Sequence, residues 1–565
     1  MSGRPRPYRF RQIPTLWADY TTGFGVMHDG THVRPAIGYG RKNPNLGDML
    51  NTAAAAGAER IIFTGKVPRP EGSASKHWLL ARTDGWRPGF YNDKGVPLGH
   101  WLSHPPTGRF ERTQTGQRVE VRIAEEWFGE GRLTPAQARN AWDFTEYLIG
   151  QKFKDPSTKE PMKLGKSPAS SGRNLWAASW GANTILPPIS KDIADVLHAT
   201  SGQHHLEHLV AGPSASTHED CIPLVDPTVQ PKLDTFAYVD GRFMYASLGW
   251  ELGIGPGQWL RGPDCWDLLQ NSPFARARFY VEFTVPQSWD HVGILGVQHA
   301  RISDGWFYPN RPGAKHRTWA DSAEVAVALQ FGWQIDIIEG IYFPSHVMKG
   351  DKKLSYRPAD NFLKRLKEVR ESIETDPEAS WEVKRAASAA VRAMTISTIG
   401  SWASRGKGST QIVYDLRDIP SEFLGSYEKF GDAYAFKVPA ALTEQEQPFY
   451  HPELAVQIWG RGRARVLWSP TAQEGVHGGA LSVPANTLLG INGDAIYTTV
   501  LPDWAKPVQY GGGDDGRIGR LRVQGVLRDV KTPVTLEDRH ELRAKAGAQS
   551  LDAAVFSTEY DGFEE

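Results

Sequence analysis

A helical block set between two strand-rich regions constrains this chain more than any other feature. Residues 361–404 read as its most helical stretch, divided at Thr375-Asp376-Pro377, where Pro377 is expected to open a second helix through EASWEVKRAASAAVRAMTIST. Before the block, RIIFTGKV (60–67) has a strand's composition, GQRVEVRIAEEWF (116–128) contains period-2 alternation, and FAYV runs into Asp240 as a buried strand would. After it, AVQIWG (455–460), ARVLWS (464–469) and AIYTTVL (495–501) again read as strands. The fold class is therefore α+β or mixed α/β, multidomain, with a helical insertion inside a strand-rich core. Helices are also expected around 47–58 and at 133–153, the latter with Thr134 as N-cap and Pro135 at the first helical position. Two stretches rich in Pro, Ser, Gly and charge, 154–173 and 211–232, look like linkers, and a domain boundary is placed near the first. No fixed-period repeat is present, which argues against solenoids and propellers.

Composition narrows the class of function. At roughly 100–200 residues per domain, 565 residues suggest about three to five folding units. Lys+Arg and Asp+Glu both number 64, so overall charge points to neither nucleic acid nor an acidic membrane, and any basic surface must be local. Two cysteines, Cys221 and Cys265, exclude a disulfide scaffold and fit a reducing compartment. No apolar run approaches the roughly 18 residues of a membrane span, and the start MSGRPRPYRFRQ has no apolar signal core. The expectation is a cytoplasmic protein with no membrane partner.

Two aspartates occupy strand-like, apolar contexts. Asp240 ends the run LDTFAYVD beside Gly241, and Asp494 sits in LLGINGDAIYTTV, where Asn492-Gly493-Asp494 is a turn signal between two apolar runs. Acids on neighbouring strand ends could hold two Mg²⁺ ions about 3.5–4 Å apart, the arrangement of in-line phosphoryl transfer. Plain turn residues are the alternative, since Asp is common at turns. On the second helix of the block, Arg385 and Arg392 are two turns apart and share a face of Ala and Ser, a surface that a triphosphate could approach closely or that solvent could simply cover. His204, His205 and His208, with His218 and Cys221, have a spacing that could bind Zn²⁺, but no second cysteine pair accompanies them, and polar residues near DNA explain them better.

In order, these elements resemble the motifs of family B DNA polymerases, especially the protein-primed branch of phages and linear plasmids. DGRFMYAS (240–247) is similar to the palm motif D-x-x-S-L-Y-P-S, with Ala246 in place of Pro. RAMTISTIG (392–400) is similar to the fingers motif K-x-x-x-N-S-x-Y-G, keeping a cation, Ser397 and Gly400 but carrying Ile396 and Ile399. INGDAIYTT (491–499) is similar to Y-x-D-T-D-S-I, with Asn492 at the first acid and Asp494 at the second. TSGQHHLEHL (200–209), QIWGRGRAR (457–465), GRIGRLRVQG (516–525) and Lys531-Thr532-Pro533 resemble the minor motifs. Asp240 to Arg392 is 152 residues and Arg392 to Asp494 is 102, spacings compatible with a palm interrupted by fingers.

The resemblance implies a right-hand polymerase (palm, fingers, thumb) preceded by an exonuclease-like, RNase H-like domain. Its expected limits are 1–175 for that domain, 176–360 for the first palm part with an insertion at about 270–350, 361–404 for the fingers, 405–512 for the second palm part and 513–565 for a short thumb. It implies a DNA-directed DNA polymerase using two Mg²⁺ or Mn²⁺ ions on Asp240 and Asp494. Arg392 would contact the incoming dNTP phosphates and Tyr245 would sit under the sugar. Gly241, Met244, Ser397, Gly400 and Arg385 would complete the nucleotide site. Arg461, Arg463, Lys531, His204 and His205 would contact primer–template DNA, and a terminal priming protein is a possible further partner. In the N-terminal domain, the exonuclease pattern D-x-E falls on Ala18 and Tyr20, or on Asp19 and Thr21 in the shifted register, so at most one carboxylate remains and no proofreading is expected. The resemblance would make Asp143 a relic of that domain's last motif, with Arg139 where the motif has Tyr four residues earlier. A catalytically retired DNA-binding component of replication or of a virion is the competing reading, motivated by Asn492, Ile396 and Ile399.

Overall fold

The computed structural model describes residues 5–549 apart from 9, 68–84, 89–107, 130–132, 182–183, 202–206, 213–217, 273, 300–304, 350–351, 356, 406–408, 414, 431–432, 439–441, 443 and 445. The chain divides into two compact units, each discontinuous in sequence: residues 1–186 with 361–450, and residues 187–360 with 451–565. The helical block thus belongs with the N-terminal region. The first boundary falls at 186/187, beyond the expected 175, and residues 405–450, grouped by sequence with the second palm part, fall in the first unit.

In the first unit, Thr15–Asp19, Arg60–Thr64 and Arg118–Ile123 pair in parallel at the centre of a seven-stranded sheet. Thr15–Asp19 and Arg60–Thr64 are buried on both faces, which is why RIIFT shows no alternation. The helix Pro135–Lys152 starts as expected, with Thr134 and Gln137 forming a reciprocal capping box and Pro135 in the first turn. Its Trp142 packs against Trp17 and Trp127. The stretch 154–173 is not a free linker. It enters the helix Pro168–Ala178, which lies so close to the helix Trp381–Trp402 that a Cβ on Gly172 would sit 1.8 Å from Thr398 Oγ1. The second helix of the block begins at Trp381, capped by Ser380, and not at Pro377. Asp376 explains the delay: its carboxylate accepts the amides of Glu378 and Ala379, which holds Asp-Pro in a turn.

The second unit contains a five-stranded antiparallel sheet in the order Leu521–Lys531, Lys232–Gly241, Ala495–Thr498, Leu488–Asn492, Glu207–His208. Within the segment expected as a thumb, Leu521–Lys531 is therefore an edge strand of this sheet, and the helix Leu536–Gly547 packs Leu542 and Ala546 into the core on it. Gln258–Arg261, Gln334–Tyr342, Ala277–Thr284 and Lys315–Asp321 form a second, four-stranded sheet. The strand Lys315–Asp321 passes directly into the helix Ser322–Gln330, which Asp321 caps. The runs 455–460 and 464–469 are not strands: most of both belongs to one helix, Pro452–Leu467, buried along nearly its whole length. A helix packed on every side shows no polar face, so its apolar runs look like strands.

Candidate active site

The Asp240 strand and the Asp494 hairpin are neighbours in the five-stranded sheet. Asp240 lies opposite Ala495 on one side and Arg522 on the other. One step further, the Gly241 amide donates to the Asp494 carbonyl at 3.0 Å. A Cβ on Gly241 would lie 3.2 Å from Asp494 Cβ and 2.7 Å from Met244 Cβ, so only glycine lets these three positions meet. Asp240 is 1% exposed and Asp494 9%. The hairpin turns at Gly493-Asp494, with Gly493 at φ 60°. This is the turn that Asn-Gly-Asp predicts.

After Gly241 the chain turns sharply. Phe243 takes a left-handed conformation (φ 48°, ψ 42°), and Met244–Ser247 form one helical turn. That turn carries Tyr245 into a slot between two glycines: a Cβ on Gly493 would be 3.2 Å from the Tyr245 hydroxyl, and one on Gly462 would be 3.1 Å from its ring. Arg242 reaches Asp514 at 2.8 Å, and its carbonyl accepts the Gly519 amide, so the loop that carries Asp514 and Gly519 is fastened beside the same turn. Gly241, Met244, Tyr245 and Asp494 are thereby brought together within one unit, while one step back along the strand the Asp240 side chain, opposite Ala495, falls on the alternate face with Tyr238.

Tyr238 on the Asp240 strand and Tyr497 on the neighbouring strand stack with ring centroids 5.5 Å apart, Arg543 lies 5.5 Å over Tyr238 and Arg539 lies 4.9 Å over Tyr497. Burial, aided by the negative charge of Asp240, pushes the Tyr238 phenol well above its usual range. Burial opposes the charge on Arg543, but Tyr497, Tyr238 and Asp240 outweigh it and raise the guanidinium pKa. Asp240 therefore lies within the field of a cation from the C-terminal helix.

Other expected site residues lie elsewhere. Arg385, Arg392, Ser397 and Gly400 are on the helix Trp381–Trp402, in the other unit. Arg385 is exposed with its guanidinium 5.2 Å over Trp381, Gly400 is exposed, and Arg392 and Ser397 are half-buried. Of the two isoleucines of that motif, Ile399 is buried and Ile396 is 40% exposed. Lys531 is exposed at the end of its strand. His204 and His205 lie outside the described residues. Of the zinc alternative, His218 stacks on Phe307 at 3.7 Å and the Cys221 thiol donates to the Tyr308 carbonyl. Among the described residues no group of three His, Cys, Asp or Glu side chains is arranged to hold a metal.

Arg461 and Arg463 require a correction of place. Both are buried, at 7% and 5% exposure. Arg461 donates to the carbonyls of Leu248 (3.2 Å) and Trp250 (2.9 Å), just after the Tyr245 turn. Arg463 donates to the Gly293 carbonyl at 3.3 Å and lies 4.2 Å over the Tyr308 ring. Their donors face the protein interior, not a surface that a DNA phosphate could reach.

Sequence reading missed the group that accompanies Arg461. A Cβ on Gly460 would fall 2.1 Å from Asp321 Cβ, so the glycine lets the helix settle onto Asp321. Asp321 accepts the Ala323 amide at 3.0 Å while Glu324 accepts the Asp321 amide at 3.0 Å, a complete capping box. Burial raises the Asp321 carboxyl to about 7, against the pull of the Ala323 amide and of Arg461. Arg278 joins the cluster, held by the Trp319 carbonyl at 3.1 Å. Asp-Ser-Ala-Glu at 321–324 carried the capping signal, but nothing local in the sequence announced the distant arginines.

In the N-terminal sheet, Asp19 accepts the amides of Thr21 (3.1 Å) and Thr22 (2.8 Å), so its carboxylate closes a turn. Asp143 pairs with Arg139 at 3.4 Å, and burial raises its pKa.

Sequence comparison finds no matching family model and no matching curated protein. The structure is similar to solved structures of Phi29 DNA polymerase. Its complex with primer–template DNA, the post-translocation binary complex, aligns at TM-score 0.50 and 10% identity over 91% of this chain and 85% of that one. An orthorhombic crystal form aligns at TM-score 0.49 and 10% identity over the same shares. The chain has the fold of a right-hand DNA polymerase, the fold the motif order implied. No helix among the described residues is long and apolar enough to cross a membrane.

Proposed function

We propose that this chain is a DNA-directed DNA polymerase that adds dNTPs to a primer 3′-hydroxyl, without proofreading, in replication of a phage or mobile element. The observation that carries the proposal is the pairing of the strand that ends at Asp240 with the hairpin that turns at Asp494, beside Tyr245, on the fold of a polymerase. Asp240 and Asp494 are the residues that would hold the ions. Their donors are all oxygen, which suits Mg²⁺ or Mn²⁺ and not the N/S preference of zinc. When bound, two such ions activate the 3′-hydroxyl and neutralise the leaving pyrophosphate.

The chain's own groups supply the rest. The Gly493–Gly462 slot fixes the Tyr245 ring, which would pack under the sugar and exclude a 2′-hydroxyl. Arg392, with Arg385, Ser397 and Gly400, would receive the triphosphate. Lys531, His204 and His205 are offered as contacts to primer–template DNA, and a terminal priming protein as a further partner. The absence of proofreading is supported by Asp19, whose carboxylate closes a turn.

One observation favours a second reading, a retired polymerase fold that binds DNA without catalysis: Asp240 is 1% exposed and feels the charge of Arg543, while Asn492 replaces an acid. Extension of a labelled primer–template with Mg²⁺ or Mn²⁺ and four dNTPs separates the two. Catalysis requires extension by the native chain and its loss in Asp240→Ala and in Asp494→Ala. Binding without extension under either metal would select the retired fold.

A further inference from the structure

A cavity of about 680 Å³ within the first unit is unconnected with the motifs above. Lys152, Lys154 and Lys159 line it from one segment, and Lys364 and Arg365 from another. Against these five cations stand two lining acids, Asp155 and Glu368, leaving a net charge of +3 in a chain whose total is zero.

The acids are already engaged. Asp155 accepts the amides of Ser157 (2.7 Å) and Thr158 (2.9 Å), forming the turn that presents Lys154 and Lys159, and Glu368 lies 3.5 Å from Lys152. Arg365 lies 5.6 Å over Phe153, which fixes its guanidinium at the wall. Lys154, Lys159 and Lys364 are exposed and make no ion pair with a described residue. Trp180, braced edge-to-face on Trp176 at 6.0 Å, adds an aromatic surface.

We propose that this cavity binds single-stranded DNA. Cations distributed along two walls match successive phosphates, whereas one phosphate group would call for donors converging on a point, and an aromatic side chain supplies a platform for a base of any identity. Binding here would be independent of sequence and strongly dependent on salt. The assignment stands whether or not the Asp240 site is catalytic.

The test is fluorescence anisotropy of a 5′-labelled oligodeoxythymidylate titrated with the full chain at several salt concentrations. The native chain is compared with the triple substitution Lys154→Ala/Lys159→Ala/Lys364→Ala, whose exposed positions leave the core intact, as circular dichroism checks. Three lost phosphate contacts should lower the slope of log affinity against log salt by about 2 and weaken binding at least about tenfold at low salt. An unchanged slope and affinity would overturn the proposal. Free dTTP, titrated against the lysine-dependent part of the signal, distinguishes the two sources of phosphate. Displacement only at concentrations far above the oligonucleotide's dissociation constant is expected; displacement at that same concentration would make this a nucleotide pocket and overturn the polynucleotide assignment.

Discussion

The Gly241 amide and the Asp494 carbonyl are joined by a 3.0 Å hydrogen bond, with room between their Cβ positions only for glycine. That bond fixes the register between the strand that ends at Asp240 and the hairpin that turns at Asp494. A one-residue slip would exchange the faces of every side chain on the strand. The following predictions concern the parts that hold this arrangement in place.

The slot around Tyr245 should govern sugar selection. Tyr245→Val removes the ring and is expected to lower the ratio of kcat/KM for dNTP over rNTP by at least about tenfold, on the order of 1–3 kcal/mol of discrimination. Single-nucleotide incorporation with matched dNTP and rNTP measures it. An unchanged ratio would remove Tyr245 from the sugar site.

Arg461 is expected to act through stability. It anchors the carbonyls of Leu248 and Trp250 from a buried position. Arg461→Met leaves those carbonyls and Asp321 without their partner and should cost about 2–4 kcal/mol in urea unfolding. Full stability combined with weaker primer–template binding would instead return Arg461 to a DNA-contacting role.

Gly460→Ala should destabilise the same region by about 1–3 kcal/mol, since the new methyl would meet Asp321 Cβ at 2.1 Å, where no flexible chain end can yield. The urea midpoint is the readout, and a wild-type midpoint would mean that the helix is free to move off Asp321.

Asp321 gives stability a defined pH dependence. Its carboxyl is raised from 3.8 to about 7, chiefly by burial, so the folded chain holds this proton more tightly than the unfolded chain. Its contribution is complete below about pH 4 and is lost as pH rises through about 7. Asp321→Asn, which keeps the shape without the titration, should flatten the fall in unfolding free energy between these values by a few kcal/mol. A native-like slope in the variant would assign the titration to another group.

The parts of the site that were legible in sequence are those whose chemistry demands a particular residue at a turn. Asp240-Gly241 and Asn492-Gly493-Asp494 announce a strand end and a hairpin, and the structure pairs them directly. Thr134-Pro135 announced a helix start for equally local reasons. Arg461 misled because a cation in an Arg-rich run ordinarily lies on the surface, whereas here its charge is balanced by Asp321, 140 residues away in sequence. The helix Pro452–Leu467 was hidden because burial on all sides erases its periodicity. The edge strand Leu521–Lys531 carries so many charges that it reads as a surface segment, and only its pairing with the Asp240 strand places it in the five-stranded sheet.

Counting bound metal tests the central claim most directly. Mn²⁺ binding, followed by electron paramagnetic resonance, can be measured on the native chain with a dideoxy-terminated primer–template and the next dNTP, so that no turnover occurs. The account predicts two ions per native complex and the loss of at least one in Asp494→Ala and in Asp240→Ala, with DNA still bound. Two ions retained in both variants would contradict it, because the metals would then rest on other residues.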